Sequence, residues 1–252
     1  MKPIQRTNKN TYSPCRGVYH NIFPIPMFHG RLDLDHKQVS NHCRNIISKV
    51  KDRHNGNTER EYTTYFDQDL REETEQQSWY TSFANQMKDS YVDFIKSQFN
   101  FETPMSRHDI HFFAWVSVYN KPHMHETHNH VKSRISGTYY PLADDDSMPI
   151  KFFNPNIMAT FSHGARDDMM QIEGQEQMLY MGTHGCQTDV SFTPKTGDFL
   201  LWPSYMLHTV PRDVSETRDI ERIAISFNLQ HAEDLGSYHH GDDFDYSILD
   251  YE

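Results

Sequence analysis

Basic residues are scarce in this chain and cysteines scarcer. Lys and Arg number 24 against 35 Asp and Glu, for a net charge of −11, and no Lys or Arg follows Arg222. So acidic a balance argues against broad, salt-dependent nucleic-acid binding, which requires a positive face. No nucleic-acid partner is expected. Cys15, Cys43 and Cys186 are odd in number and far apart, which argues against a disulfide framework or a zinc ribbon and suits a reducing cytoplasm. No apolar run approaches the ~18 residues of a membrane span. The opening MKPIQRTNKN lacks the apolar segment of a secretory signal. The expectation is a cytoplasmic protein without membrane attachment. Internal repeats and low-complexity segments are absent too, and oligomeric state is not legible, so a homodimer stays open.

What the chain has in excess is histidine. Of its 17 histidines, His123, His125, His128 and His130 fall within KPHMHETHNHVKSRISGTYY, residues 121–140. Bulky core material is also plentiful, with 16 Phe, 14 Tyr and 12 Met in 252 residues, enough for one large core.

Two grammars divide the chain near Pro104. Before it, NIFPIPMFHG (21–30) reads as a Pro-interrupted edge strand. Leu34, Val39, Cys43, Ile46, Ile47 and Val50 recur at helical spacing, with Asp33 or Asp35 as the cap. The polar stretch 52–77 reads as loop with a short strand at Tyr62–Phe66. Ser78–Phe99 reads as a second helix burying Trp79, Phe83, Met87, Tyr91, Phe94 and Ile95. After Pro104, HFFAWVSVYN, SRISGTYYPL, PIKFFNP, TDVSFTPK, GDFLLWPSY, LHTVPRD and RIAISFNLQ are short, β-branched and aromatic, a sandwich or barrel pattern. The expected division is a helical and irregular region over 1–104, a β core over 105–230 with an insert at 156–187, and an acidic tail over 231–252. An insert of that length usually covers or gates a site.

Histidines two apart on an extended chain share a face. His128 with His130 is one such pair and His123 with His125 another, out of phase with the first. One strand cannot aim all four at a single ion. One pair would be ligands and the other would orient them or rim the pocket; a His-rich loop that binds nothing is the plainer reading. His208, delivered by GDFLLWPSYMLHTVPR, is the best third ligand. Arg222 opens RIAISFN on the face shared by Ala224, Ser226 and Asn228. A buried guanidinium needs an anion, and a bound carboxylate fits its fork.

Taken together, H-x-H before SGTYY, then GDFLLWPSYMLHTVP, then RIAISFN, with IFPIPMF near the start, resemble the 2-oxoglutarate- and Fe(II)-dependent oxygenase family of bacteria and phages. The resemblance spans most of 111–230. It implies a mainly β protein with N-terminal helices around a cupin-like jelly roll, the double-stranded β-helix. It implies His128, His130 and His208 as metal ligands, with His125, Glu126 or His123 as weaker candidates, and Arg222 as the anchor of 2-oxoglutarate, assisted by Ser226 or Tyr140. Fe(II), 2-oxoglutarate and O2 follow as cofactor and co-substrates. The expected reaction is hydroxylation of a peptide residue, such as prolyl, or of a small molecule, releasing succinate and CO2; for a phage-encoded copy it would run in the host cytoplasm. The sequence departs from the wider superfamily in one respect: the first motif is ordinarily H-x-D or H-x-E, the two-His-one-carboxylate face, and here its third position is His130. That keeps two other readings in view: a three-His cupin-type dioxygenase without 2-oxoglutarate, and a non-catalytic zinc- or nickel-binding jelly roll that recognises a partner.

Overall fold

The computed structural model describes residues 25–53, 61–99, 106–120, 123–131, 133–144, 147–155, 189–212 and 221–232. In chain order these form β1 (Phe28–Arg31), α1 (His36–Arg53), β2 (Tyr62–Thr63), α2 (Gln68–Glu75), α3 (Tyr80–Phe99), β3 (Ile110–Tyr119), β4 (His125–His128), β5 (Ile135–Leu142), β6 (Ile150–Phe153), β7 (Asp189–Phe192), β8 (Asp198–Pro203), β9 (His208–Val210) and β10 (Arg222–His231). One 3-10 turn, Arg107–Asp109, leads into β3.

The strands make two antiparallel sheets, β1-β8-β5-β10-β3-β2 and β4-β9-β6-β7. This is a mainly β jelly roll with helices on one side. The two sheets share one apolar core of Tyr140, Leu200, Trp202 and Ala224 from the large sheet with Ile150, Phe152 and Val210 from the small one. The other face of the large sheet, with Val116, Tyr139, Ile223 and Phe227, packs on α1 and α3 through Val39, Ile46, Phe83 and Met87. Strand alternation sorts β10: Ile223, Ile225 and Phe227 go to the helices, while Arg222, Ala224, Ser226 and Asn228 face into the sandwich.

A bulge adjusts this alternation in β5. Ile223 pairs with Leu142 but Ile225 pairs with Tyr139, so three residues of β5 span two of β10. The extra residue falls at Tyr140-Pro141, where the missing proline N–H suits an interrupted ladder. Tyr139 thereby packs against the helices and Tyr140 into the sandwich, both fully buried.

Several boundaries differ from the sequence reading. The first helix starts at His36 with Asp35 as cap, its carboxylate accepting from the Gln38 N–H at 3.0 Å. The edge strand is β1 alone; residues 21–24 lie outside the described residues. The stretch read as loop contains α2, started by the Asp67 cap on the Leu70 N–H. Only Leu70 and Thr74 of α2 are buried, too few to show as a periodic pattern. The strand expected at Tyr62–Phe66 is two residues long and ends in a turn. β1 and β2, from the region expected to be helical and irregular, close the two edges of the large sheet. The insert at 156–187 and the tail beyond residue 232 lie outside the described residues, as do Cys15 and Cys186. Among the described residues no helix is long and apolar enough to cross a membrane.

Candidate metal and co-substrate site

β4 and β9 pair so that His128 lies opposite His208. The chain leaves β4 two residues before His130, whose N–H donates to the Ser204 carbonyl at 3.0 Å. The ligand atoms of His128, His130 and His208 lie within 4.8 Å of one another.

Each ring is fixed by its far nitrogen. His128 Nδ1 meets the Glu126 carbonyl at 2.7 Å, His130 Nδ1 meets Asn228 Oδ1 at 2.6 Å, and His208 Nδ1 meets the Met206 carbonyl at 3.0 Å. A carbonyl oxygen only accepts, so each Nδ1 carries the proton and each Nε2 a lone pair. Asn228 Oδ1 also accepts from Ser136 Oγ at 2.9 Å, and Ser136 meets Ser204 at 2.8 Å. This network holds the amide in the orientation that His130 needs.

Three lone pairs then converge, with the Nε2 atoms of His128 and His130 only 3.3 Å apart. Such an approach is repulsive unless a proton or a cation lies between. Burial works against the proton: it lowers the pKa of His130 to about 4 and of His208 to about 3, and lowers that of His128 as well. The donor set therefore fits a divalent transition metal held by three neutral imidazoles, each backed by a hydrogen bond that sets its tautomer.

Arg222 enters the same interior from the facing large sheet, at the start of β10, and is 1% exposed. Its guanidinium sits 4.7 Å from the Tyr119 ring centroid and 4.9 Å from that of Tyr140, and Nη2 donates to Tyr140 Oη at 3.2 Å. Nε and Nη1 are buried without a hydrogen-bond partner among the described residues. A charge desolvated in this way calls for an anion.

The remaining candidates sit apart from the triad in role. His125 stacks flat on His128 at 4.0 Å, with Nδ1 3.3 Å from both Tyr119 Oη and Glu61 Oε1. Burial, then His128, His208, His130 and Arg222, push its pKa to about 2, so this is a neutral ring beside a carboxylate. His123 is buried in a turn, where Nδ1 accepts from the Asn120 N–H at 3.1 Å. Glu126 is exposed and contributes its backbone carbonyl to His128. Tyr140 reaches Arg222, whereas Ser226 stands farther along β10, opposite Trp115 and Thr138. Asn228 was visible in the sequence only as a position on Arg222's face; its bond to His130 spans 98 residues.

Beside the triad opens a cavity of about 270 Å³, lined by Glu61, Tyr65, Trp115, His125, Val131 and Asn228 among others. Trp115, 7% exposed, sits 5.6 Å from the His130 ring. No sequence pattern linked Glu61 or Tyr65 to the histidines.

Residues 113–228 match the family described as "Putative 2OG-Fe(II) oxygenase". That region, a little under half of the chain, is similar to a 2OG-Fe(II) oxygenase domain. It contains the three histidines and Arg222, and the enzymes of this class use Fe(II), 2-oxoglutarate and O2. No curated protein matches the sequence. Among solved structures, a Pseudomonas putida prolyl-4-hydroxylase is similar over 82% of this chain and 94% of its own, at 12% identity and a TM-score of 0.49. A Trichoplax adhaerens prolyl hydroxylase, in complex with a hypoxia inducible factor oxygen degradation domain peptide, is similar over 84% and 86%, at 13% identity and 0.48. The non-heme alpha ketoglutarate dependent carbocyclase SnoK from nogalamycin biosynthesis matches over 82% of both chains, at 8% identity and 0.48.

Proposed function

We propose that this oxygenase hydroxylates a peptide residue, such as prolyl, or a small molecule, turning 2-oxoglutarate into succinate and CO2. In this reading His128, His130 and His208 hold Fe(II) and Arg222 holds the distal carboxylate of 2-oxoglutarate. The observation that carries it is the meeting, between the two sheets, of three converging Nε2 lone pairs from the β4–β9 side with a buried guanidinium on β10 whose Nε and Nη1 lack partners among the described residues. When bound, Fe(II) would supply the activation of O2 that no amino-acid side chain provides.

The chain's own residues do the positioning. The carbonyl oxygens at Glu126, Asn228 and Met206 keep the imidazoles neutral and aimed. Tyr119 and Tyr140 flank Arg222 and keep water from its charge, so that a carboxylate there would gain the strength of a desolvated ion pair. Trp115 and His125 wall the cavity in which substrate would meet the triad.

The test is anaerobic addition of Fe(II) and 2-oxoglutarate, followed by the weak visible charge-transfer band, then admission of air and assay of succinate. Wild type should give both, and Arg222→Ala should lose 2-oxoglutarate binding. Neither signal from wild type, with Arg222→Ala binding unchanged, would sink the reading. A three-His dioxygenase that ignores 2-oxoglutarate draws support from His130 in place of the usual carboxylate. It would consume oxygen without the keto acid, and it leaves the buried Arg222 without a role.

A further inference from the structure

The triad and Arg222 lie inside the family-matched span, but one wall of the neighbouring cavity does not. Glu61 immediately precedes β2, Thr63 lies in it, and Tyr65 and Phe66 come from the turn behind it. This wall is firmly held. Thr64, fully buried, donates its N–H to the Val116 carbonyl and accepts the Val116 N–H on Oγ1, both at 3.0 Å. Arg71 donates to the carbonyls of Thr64 and Tyr65 while its guanidinium covers the Phe113 ring at 5.0 Å. Tyr65 thus stands edge-on to Trp115 at 5.0 Å, and Phe66 edge-on to Tyr65 at 4.9 Å.

Glu61 enters from the same side, its side chain 8% exposed and Oε1 3.3 Å from His125 Nδ1. His125 in turn lies flat on His128, so the carboxylate is one imidazole away from the triad. Among the described residues the cavity lining carries one carboxylate, the rings of Tyr65, Phe66 and Trp115 and three imidazoles, with no lysine or arginine. Aromatic faces attract ammonium groups, and a carboxylate adds a charge-assisted hydrogen bond. The volume, about 270 Å³, falls below the roughly 300–1,000 Å³ of sites for drug-sized ligands. It suits one side chain or a small amine.

We propose that the substrate carries a cationic nitrogen on an aliphatic chain, held by Glu61 against Tyr65 and Trp115, so that a carbon of that chain is the one oxidised. This rests on the oxygenase reading above. The reaction balances as R–H, O2 and 2-oxoglutarate giving R–OH, succinate and CO2. One oxygen atom enters the new hydroxyl, the other enters succinate, and cleavage of the C1–C2 bond of 2-oxoglutarate supplies the second pair of electrons. A free alkylamine and a lysine side chain in a peptide share this chemistry.

The test uses the full chain with Fe(II) and 2-oxoglutarate under argon and calorimetric titration with four probes: Nα-acetyl-lysine N-methylamide, its norleucine and α-aminoadipate counterparts, and n-butylammonium. The lysine probe or butylammonium should bind about tenfold or more tighter than norleucine. Glu61→Gln should erase that preference. Glu61→Lys should transfer it to the α-aminoadipate analogue, which ends in a carboxylate. Phe66 is 75% exposed, so Phe66→Ala can be made without touching the core and should weaken both amines several-fold. Equal affinity for norleucine and both amines, or a preference that survives Glu61→Gln, overturns the proposal. Tighter binding of the lysine probe than of butylammonium assigns the source to a polypeptide, and the reverse to a free amine. Succinate formation read in parallel separates the two claims. An amine preference through Glu61 with no succinate from any probe would defeat the oxygenase reading alone. Succinate without an amine preference would defeat this one alone.

Discussion

A guanidinium buried between two tyrosine rings, with two nitrogens unmatched among the described residues, makes the unliganded protein less stable than its packing suggests. Any anion that satisfies Arg222 stabilises only the folded form. At a hundred times its dissociation constant, 2-oxoglutarate should add about 2.7 kcal/mol, a rise in Tm of about 5–10 °C for a chain of this size. Scanning fluorimetry should show that rise in wild type and none in Arg222→Ala. Asn228 makes a different kind of contribution, because it touches His130 through Nδ1, the nitrogen turned away from the triad. Asn228→Leu removes the acceptor that sets the His130 tautomer and should lower metal affinity about 10–100-fold, read by competition with a chromophoric chelator. Asn228→Asp, which keeps an acceptor, should retain most of it. The histidines and Arg222 stood out in the sequence because each is chemically out of place in its strand. Asn228 did not, since an asparagine on an inward face has many ordinary uses and its partner is distant in the chain.

Among the elements, the strands were readable because β-branched and aromatic residues alternate in short runs between turn residues. α2 was not, because it is held by a cap and two buried side chains. The adjacent tyrosines of SGTYY show a further limit. Alternation assigns them to opposite faces but does not foretell that both faces are buried, nor that a bulge at Tyr140-Pro141 sets the phase. Gly137 in the same strand has a reason visible only in three dimensions. A Cβ there would lie 2.4 Å from the Phe227 ring and 2.6 Å from the Leu200 carbonyl, and the carbonyl belongs to a central strand that cannot yield. Gly137→Ala should therefore destabilise by about 1–3 kcal/mol. Urea unfolding should show a lower midpoint at unchanged slope, while the folded fraction still binds 2-oxoglutarate.

For the molecule as a whole, the triad sets how stability depends on acidity. His130 and His208 titrate near 4 and 3 when folded, against about 6.5 when unfolded. The unfolded form therefore takes up protons that the folded form refuses. The contribution of these two rings is constant above about pH 6.5, is lost as pH drops from there, and levels off below about pH 3. The slope is at most about 1.4 kcal/mol per pH unit for each histidine. Urea midpoints of metal-free protein at pH 7.5, 6 and 5 should decline in that order. His208→Gln should flatten the decline.

The position of β10 has a consequence for how the chain is made. It lies between β5 and β3, yet it leaves the ribosome after every other described strand. Until residues 222–231 emerge, β3 and β5 each present an open backbone edge to whatever is nearby, a risk for mispairing between nascent chains. Premature termination anywhere before this segment yields a product without a closed sheet and without Arg222. The interval before β10 inserts is therefore when the large sheet is most open to mispairing.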